Sequence, residues 1–225
     1  VLDIQNDAAR AFDVLKGGGI GILPMDVGYS LIGGSPQALK RIFDTKNRAP
    51  SKLNAMLGSD AMHRALHKVS NRGHEIYDAI CNDYDLPLGL IAPCNTDHPL
   101  LQTLDRDTYA RSTKGDTLLM LMNSGRFHTE ITRLSFEQKH LLFGSSANLM
   151  LTGTRFRVED MQSEITDIAD VIIDYGLMKY HSYAASSTLL DVENCIVHRY
   201  GVCYENIADI LRRHFDITLP PKPSD

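Results

Sequence analysis

Gly17-Gly18-Gly19-Ile20-Gly21-Ile22-Leu23-Pro24-Met25-Asp26-Val27-Gly28-Tyr29-Ser30-Leu31-Ile32-Gly33-Gly34 is the stretch on which the fold turns. Ile20 to Leu23 is a short apolar run behind a glycine cluster and reads as a buried strand. Gly28 to Gly33 reads as a second strand, joined to the first by a turn at Pro24 to Val27. Leu39, Ile42 and Phe43 then recur at helical spacing behind Ser35-Pro36, a capping residue followed by a proline suited to a helix start. Lys46 and Arg48 stand together where that helix runs out. Two tight strands that deliver a cationic pair make an arrangement suited to holding an anion.

The rest of the chain alternates in the same way. Asp7 to Lys16 carries Ala8, Ala11, Phe12 and Leu15 on one face and ends at Gly17, which predicts an amphipathic helix. Further strands are expected at Leu53–Leu57, Leu88–Ala92, Thr117–Met122, Leu141–Gly144, Val171–Asp174, Ser187–Val192 and Cys195–Tyr200. Helices are expected at Ser59–Val69, Asn71–Asn82, Glu130–His140, Val158–Ile168 and Tyr204–Phe215. His98 to Gly115 has no clean period and reads as a polar loop with one helical turn near Leu100–Leu104. Strands interleaved with helices predict a single α/β domain, a mixed, twisted open sheet flanked by helices, over residues 1–219. Residues 220–225, rich in proline, read as a disordered tail.

Composition narrows the classes. The 225 residues are 43% hydrophobic and 23% charged, enough for a core and unlike a disordered chain. A net charge of −5 argues against a broad nucleic-acid-binding surface, while leaving room for a local basic groove. Cys81, Cys94, Cys195 and Cys203 form no C-x-x-C pair, which points to reduced thiols rather than a disulfide framework or a zinc site. No apolar run reaches membrane-spanning length, so the expectation is a cytoplasmic protein with no membrane partner.

Several chemistries fail on spacing. The Gly17–Gly21 cluster is not G-x-G-x-x-G, and it precedes a strand where a dinucleotide fingerprint follows one. There is no G-x-x-x-x-G-K-[ST]. Ser145-Ser146-Ala147-Asn148 follows an apolar strand, where hydroxyls, an amide and free backbone N–H groups suit phosphate oxygens; the plainer reading is a turn with a helix cap. A nucleophile elbow would need glycine where Asn148 stands. His63 and His67 share a helical face at i, i+4 but lack an acidic partner, so they are expected to face solvent. No grouping marks a metal site.

Taken in order, Pro24-x-Asp26-x-x-Tyr29-x-Leu31, Lys46-x-Arg48, Ser146-x-Asn148, Ser187-Thr188 before Asp191, and Arg199-x-Gly201 form a pattern. It resembles the YrdC/YciO family, the threonylcarbamoyl-AMP synthase domain of tRNA modification, over roughly Asp7 to Gly201. The resemblance implies an enzyme, a nucleotidyltransferase joining threonine, bicarbonate and ATP into threonylcarbamoyl-adenylate, with release of pyrophosphate. It implies catalytic roles for Lys46 and Arg48. It also implies an ATP phosphate site of Lys46, Arg48, Ser146, Asn148, Ser187 and Arg199, and an amino-acid pocket with Asp26, Tyr29 and Ser145. Mg²⁺ would be held mainly by phosphate, since no carboxylate cage is visible. The partners it implies are ATP, bicarbonate and an amino acid, with RNA or tRNA-modification proteins beyond them.

Departures from the family pattern bear on the amino acid. The family reads Pro-Thr-Asp/Glu-Thr-x-Tyr-Gly-Leu where this chain has Met25 and Val27, losing both hydroxyls. Leu121 falls where the family carries an arginine, and Gly89 where it carries a threonine. Two classes therefore stay open: a carbamoyl-adenylate synthase with altered amino-acid specificity, or a non-catalytic nucleotide- or RNA-binding protein of YciO type. The 96–115 segment carries Arg106, Arg111 and Lys114, candidates for a relocated cation, and is expected to close over bound ligand.

Overall fold

The computed structural model describes residues 1–47 and 52–223; Arg48 lies outside the described residues. The opening stretch forms the expected hairpin. β1 (Ile20–Leu23) pairs antiparallel with β2 (Ser30–Gly33), joining Ile20 to Gly33 and Leu23 to Ser30. Between them, the Gly28 N–H donates to the Met25 carbonyl at 2.8 Å. Gly28 has a φ of +115°, and a Cβ there would lie 2.4 Å from the Thr154 side chain, so this corner needs glycine.

The other strands are β3 (Ala55–Leu57), β4 (Leu88–Pro93), β5 (Thr113–Lys114), β6 (Thr117–Met122), β7 (Phe143–Ser146), β8 (Val171–Ile172), β9 (Leu189–Asp191) and β10 (Ile196–Arg199). They join in the order β10-β9-β4-β6-β3-β7-β2-β1-β8, with β5 on the flank of β6. Pairs β1/β8, β3/β6 and β4/β9 are parallel and the others antiparallel, which makes the sheet mixed. The helices are α1 (Ile4–Lys16), α2 (Pro36–Thr45), α3 (Asp60–Leu66), α4 (Asn71–Tyr77), α5 (Pro99–Gln102), α6 (Arg106–Ala110), α7 (Arg126–Glu137), α8 (Ser163–Thr166) and α9 (Tyr204–Phe215).

Alternation along the strands separates two faces. On the first, Leu31, Met56, Leu90, Met120 and Phe143 pack with residues of α2, α3, α4, α5 and α9 into the larger core. On the second, Leu23, Ile32, Leu57, Leu121 and Val171 pack with Ala8, Phe12 and Leu15 of α1 and Phe127 and Ile131 of α7. Helices α1 and α7 pack against each other over the β1, β2 and β8 end of the sheet. Around β4, β6 and β9 the second face remains open as a concavity.

Several expected elements shift. The Ser59–Val69 helix ends at Leu66, because His67 turns to extended geometry and bridges to Cys94. Asn71–Asn82 is helical throughout, but its second half, Asp78–Asp83, is a π-turn. The polar loop at His98–Gly115 contains α5, α6 and β5; Asp105 caps α6 by accepting from the Asp107 and Thr108 N–H groups. Helix α7 begins four residues earlier than expected, at Arg126, behind Gly125, whose φ of +98° makes a start that no capping side chain signals. The Val158–Ile168 helix is reduced to a 3-10 turn and the four residues of α8. In the tail, the Tyr204 hydroxyl donates to the Pro220 carbonyl, and Pro220 to Pro223 are exposed without regular structure.

Candidate functional site

Alternate residues of the sheet border the concavity: Ser30 and Ile32, Ala55 and Leu57, Gly89 and Ile91, Thr117, Leu119 and Leu121, Gly144 and Ser146, and Leu189. The enclosed volume is about 630 Å³, within the usual range for a ligand site of about 300–1,000 Å³. Lys52, Lys114, His198 and Arg199 also border it, and among the described lining residues there is no Asp or Glu. Its middle is apolar, and among the described lining residues the ionisable side chains are all basic.

One polar end is built where α2 stops. Lys46 is the C-terminal cap of α2 and is 4% exposed, and its ammonium donates to the Ser146 carbonyl at the end of β7. The Asn148 N–H donates to the same carbonyl at 3.0 Å. The Asn148 amide nitrogen donates to Leu149 at 2.6 Å, while its Oδ1 is buried without a partner. Ser146 lines the cavity, and Lys46 and Asn148 join it through the Ser146 carbonyl.

The opposite end is built by β9 and β10. Arg199 folds back so that Nε and Nη2 donate to the Ser187 carbonyl at 3.0 and 2.8 Å, and Nη2 reaches Ser187 Oγ at 3.2 Å. Gly201 makes this approach feasible: a Cβ there would lie 2.2 Å from the Ser186 carbonyl oxygen. The Gly201 N–H donates to Thr188 Oγ1, which itself donates to the Val202 carbonyl, so the two segments are locked side by side.

The expected amino-acid pocket is not gathered here. Tyr29 is fully buried; its hydroxyl is shared between Asp174 Oδ1 and the Gly176 carbonyl, both at 2.9 Å, and accepts from the Tyr175 N–H at 3.0 Å. It ties the hairpin to the segment after β8, and burial pushes its phenol well above the usual range. Asp26 lies in a separate cavity with Asp85, Arg126 and Lys179, 3.6 Å from the Lys179 ammonium. Burial raises its carboxyl pKa, against the pull of Lys179. Ser145 borders the concavity, but its register against Leu31 turns its side chain toward the core face, where Oγ is buried without a partner. Met25 is buried against the α1–α7 layer, and it is Val27 that reaches the cavity.

Two other expectations change. His63 and His67 do not face solvent: they are 0% and 5% exposed. Because the Leu118 carbonyl can only accept, His67 Nε2 carries the proton it gives at 3.1 Å. His67 Nδ1 then accepts from His63 Nδ1 at 3.0 Å, and His63 Nε2 accepts from His74 Nδ1 at 3.0 Å. Burial and the neighbouring imidazoles push His63 down to about 3, and burial pushes His67 down to about 4. Arg111, considered as a relocated cation, is paired with Asp107 at 3.0 Å and stacked 4.3 Å over Phe43; Lys114 is the member of its segment that reaches the cavity.

Sequence reasoning missed Lys52, His198 and the apolar floor. Thr117-Leu-Leu-Met-Leu-Met reads as a strand buried on both faces, and no local signal marks Leu119 as half-open. Among the described residues no group of three or more His, Cys, Asp or Glu is arranged to hold a metal, and no helix is long and apolar enough to cross a membrane.

The fold and its concave face can be set beside known proteins. A family model named for Sua5, YciO and YrdC, and described as telomere recombination, matches residues 13–201, so this chain belongs to the Sua5/YciO/YrdC family. A hypothetical protein from Streptococcus mutans UA159 is similar at a TM-score of 0.73 and 19% identity, covering 93% of this chain and 92% of that one. E. coli YciO is similar at a TM-score of 0.65 and 18% identity, covering 88% and 90%. P. abyssi Sua5 complexed with L-threonine is similar at a TM-score of 0.64 and 18% identity, covering 85% of this chain but 52% of Sua5, so this chain corresponds to about half of that protein. At these identities the structural likeness carries the fold alone. No curated protein matches the sequence.

Proposed function

We propose that this chain binds ATP on the concave face and joins it to the carbamate of an amino acid, forming a carbamoyl-adenylate. The observation that carries this reading is the meeting of Lys46 with Ser146, a hundred residues apart in sequence, at the rim of a cavity bordered by no described acid. Lys46, Ser146 and Asn148 would hold the phosphates, with Arg48 as the cation the sequence adds beside them. Ser187 and Arg199 would take the other end of the nucleotide. Family membership and the L-threonine complex of Sua5 support the reaction class.

The chemistry asks for alignment and charge neutralisation rather than covalent help. Bicarbonate and the amine give a carbamate and water. A carbamate oxygen then attacks the α-phosphorus, a new P–O bond forms, and the α–β anhydride bond breaks, its electrons leaving on pyrophosphate. Lys46 and the basic rim would offset the charge of the leaving group. With no described carboxylate at the cavity, Mg²⁺ would arrive on the phosphates. The adenylate would pass to an acceptor such as tRNA, and RNA or tRNA-modification proteins would be the partners.

Leu121, apolar where a carboxylate-binding cation is expected, favours the second reading, a nucleotide- or RNA-binding protein without catalysis. Pyrophosphate release from ATP and bicarbonate with a panel of amino acids separates the two. Release that depends on both bicarbonate and an amino acid supports the synthase; ATP binding with no release under any combination leaves the binding protein.

A further inference from the structure

A second cavity of about 630 Å³ lies apart from the concave face, bordered by Pro24 and Asp26, by the turn from β6 into α7, and by the segment after β8. Its formal charges balance, with Asp26 and Asp85 set against Arg126 and Lys179. Its hydrogen-bonding groups do not. Asp26 is paired with Lys179 at 3.6 Å, and Asp85 Oδ1 accepts from the Asn123 amide at 2.9 Å. The groups left without a partner are donors. Gly125 has no side chain to cap α7, and among the described residues nothing accepts from the Arg126 and Phe127 N–H groups that open the helix. The Arg126 guanidinium likewise pairs with no described residue.

Ser124 makes this more than a bare helix end. It is 1% exposed and borders the cavity. Its carbonyl accepts from the Asp26 N–H at 2.8 Å, and its own N–H donates to His128 Nδ1 at 3.4 Å. The His128 Nε2 proton goes to the Leu121 carbonyl at 2.9 Å, which leaves Nδ1 as the acceptor. The Ser124 backbone is thus held from both sides, and only its hydroxyl is buried without a partner. An unmet buried hydroxyl is a cost that a ligand oxygen would remove.

We infer that this cavity binds a small organic acid with one carboxylate and an apolar body, the carboxylate taken by Ser124 Oγ, the opening N–H groups of α7 and the Arg126 guanidinium. The helix dipole favours the same charge at that end. Gly125 bears on how much charge fits. A Cβ there would lie 2.3 Å from Asp26 Oδ1, so the Asp26 carboxylate lies close against the helix start. A dianion such as phosphate would be set against it, whereas a single negative charge is offset by Arg126. Ile4, Pro24, Phe127, Leu177 and Met178 border the rest, and Leu177 is exposed, so an aliphatic or aromatic body would remove apolar surface from water. This goes beyond the synthase reading and does not rest on it, since the two cavities share no described lining residue.

The test is calorimetric titration without ATP, using isocaproate, phenylacetate, leucine, isocaproamide and inorganic phosphate. The expected result is one site per chain that takes at least one of the three acids at least tenfold more tightly than the uncharged amide or phosphate. Isocaproate and leucine share a carboxylate and a branched body; the tighter of them names the source, and either supports the inference. Arg126→Gln and Ser124→Ala should each weaken binding at least fivefold. Because the Ser124 hydroxyl has no partner in the fold, Ser124→Ala should not lower the melting temperature. A fall would make that hydroxyl structural and overturn its assignment to the ligand. Saturating ATP should change the affinity less than twofold. Equal binding of acid and amide, preference for phosphate, displacement by ATP, or an affinity unmoved in either variant overturns the inference. So does the absence of binding by all three acids at millimolar concentration.

Discussion

Leu31, Met56, Leu90 and Met120 on one face of the sheet are fully sealed, while Ala55, Ile91 and Leu119, one residue along the same strands, are half-open on the other. The backbone is shared, so the difference lies in what covers each face. Residues of α2, α3, α4, α5, α8 and α9 meet the first; α1 and α7 meet one end of the second. An uncovered apolar floor between polar ends is costly in water unless a ligand sits on it, and such a floor is what a binding site looks like. The cavity around Asp26 has the same volume, about 630 Å³, yet it sets Asp26 and Asp85 beside Arg126 and Lys179, with Asp26 paired to Lys179. Volume alone does not distinguish the two, whereas unmatched basic charge does.

The largest effect should break the sealed face. Leu90→Ala is expected to cost about 2–5 kcal/mol in urea unfolding, as deletion of a fully buried leucine leaves a cavity. Leu119→Ala, on the open face of the neighbouring strand, should cost less than about 1 kcal/mol because water or ligand already meets it. Equal costs would mean that the open face is covered in solution.

Acid should act on the sealed side as well. His63 and His67 are held neutral in the fold at about 3 and about 4, against an ordinary value of 6.5, so protons bind the unfolded chain more readily. Stability is then full above pH 6.5 and falls as pH drops from there through 4 and 3, by about 1.4 kcal/mol per pH unit for each histidine. Melting curves between pH 7.5 and 5 check this. A flat profile, or one unchanged in His63→Gln, would remove the buried chain as its source.

On the open face, Lys46→Ala should weaken ATP binding by about 2–3 kcal/mol through loss of a charge-assisted contact, and the wild-type affinity should fall with salt. Calorimetry at two salt concentrations measures both. Arg48→Ala is expected to have a comparable effect. An unaltered ATP affinity would take the Ser146 end out of the site.

The smallest effect on binding sharpens the contrast. Tyr29→Phe strands Asp174 and the Gly176 carbonyl and should cost about 1–3 kcal/mol of stability, with ATP affinity unchanged within about twofold. A large loss of ATP affinity in a folded variant would return Tyr29 to the ligand.

Much of this was legible in sequence because its causes are local. Glycine behind α1, apolar runs of strand length, the Ser35-Pro36 helix start and the residues of α9 report their own conformations. The residues expected to hold phosphate were legible only as an ordered pattern, and of these the described chain brings Ser146, Ser187 and Arg199 to one cavity, with Lys46 and Asn148 bonded to the Ser146 carbonyl. Within His98–Gly115 the turn that forms α5 was expected, but α6 and β5 were missed because five and two residues are too short to show a period.

By itself the sequence determined the order and type of the elements, the mixed sheet and the family pattern, since turn chemistry, caps and hydrophobic period act within a few residues. Only the tertiary structure decided which face of each strand stays open, that Tyr29 and Asp26 lie away from the concavity, and that His63 and His67 are buried. Those outcomes depend on where distant segments pack. The Tyr29 hydroxyl is set by Asp174, His67 by Leu118, and the open floor by how far α1 and α7 extend across the sheet. A residue's type sets what it can bond, but packing sets which partner is within reach.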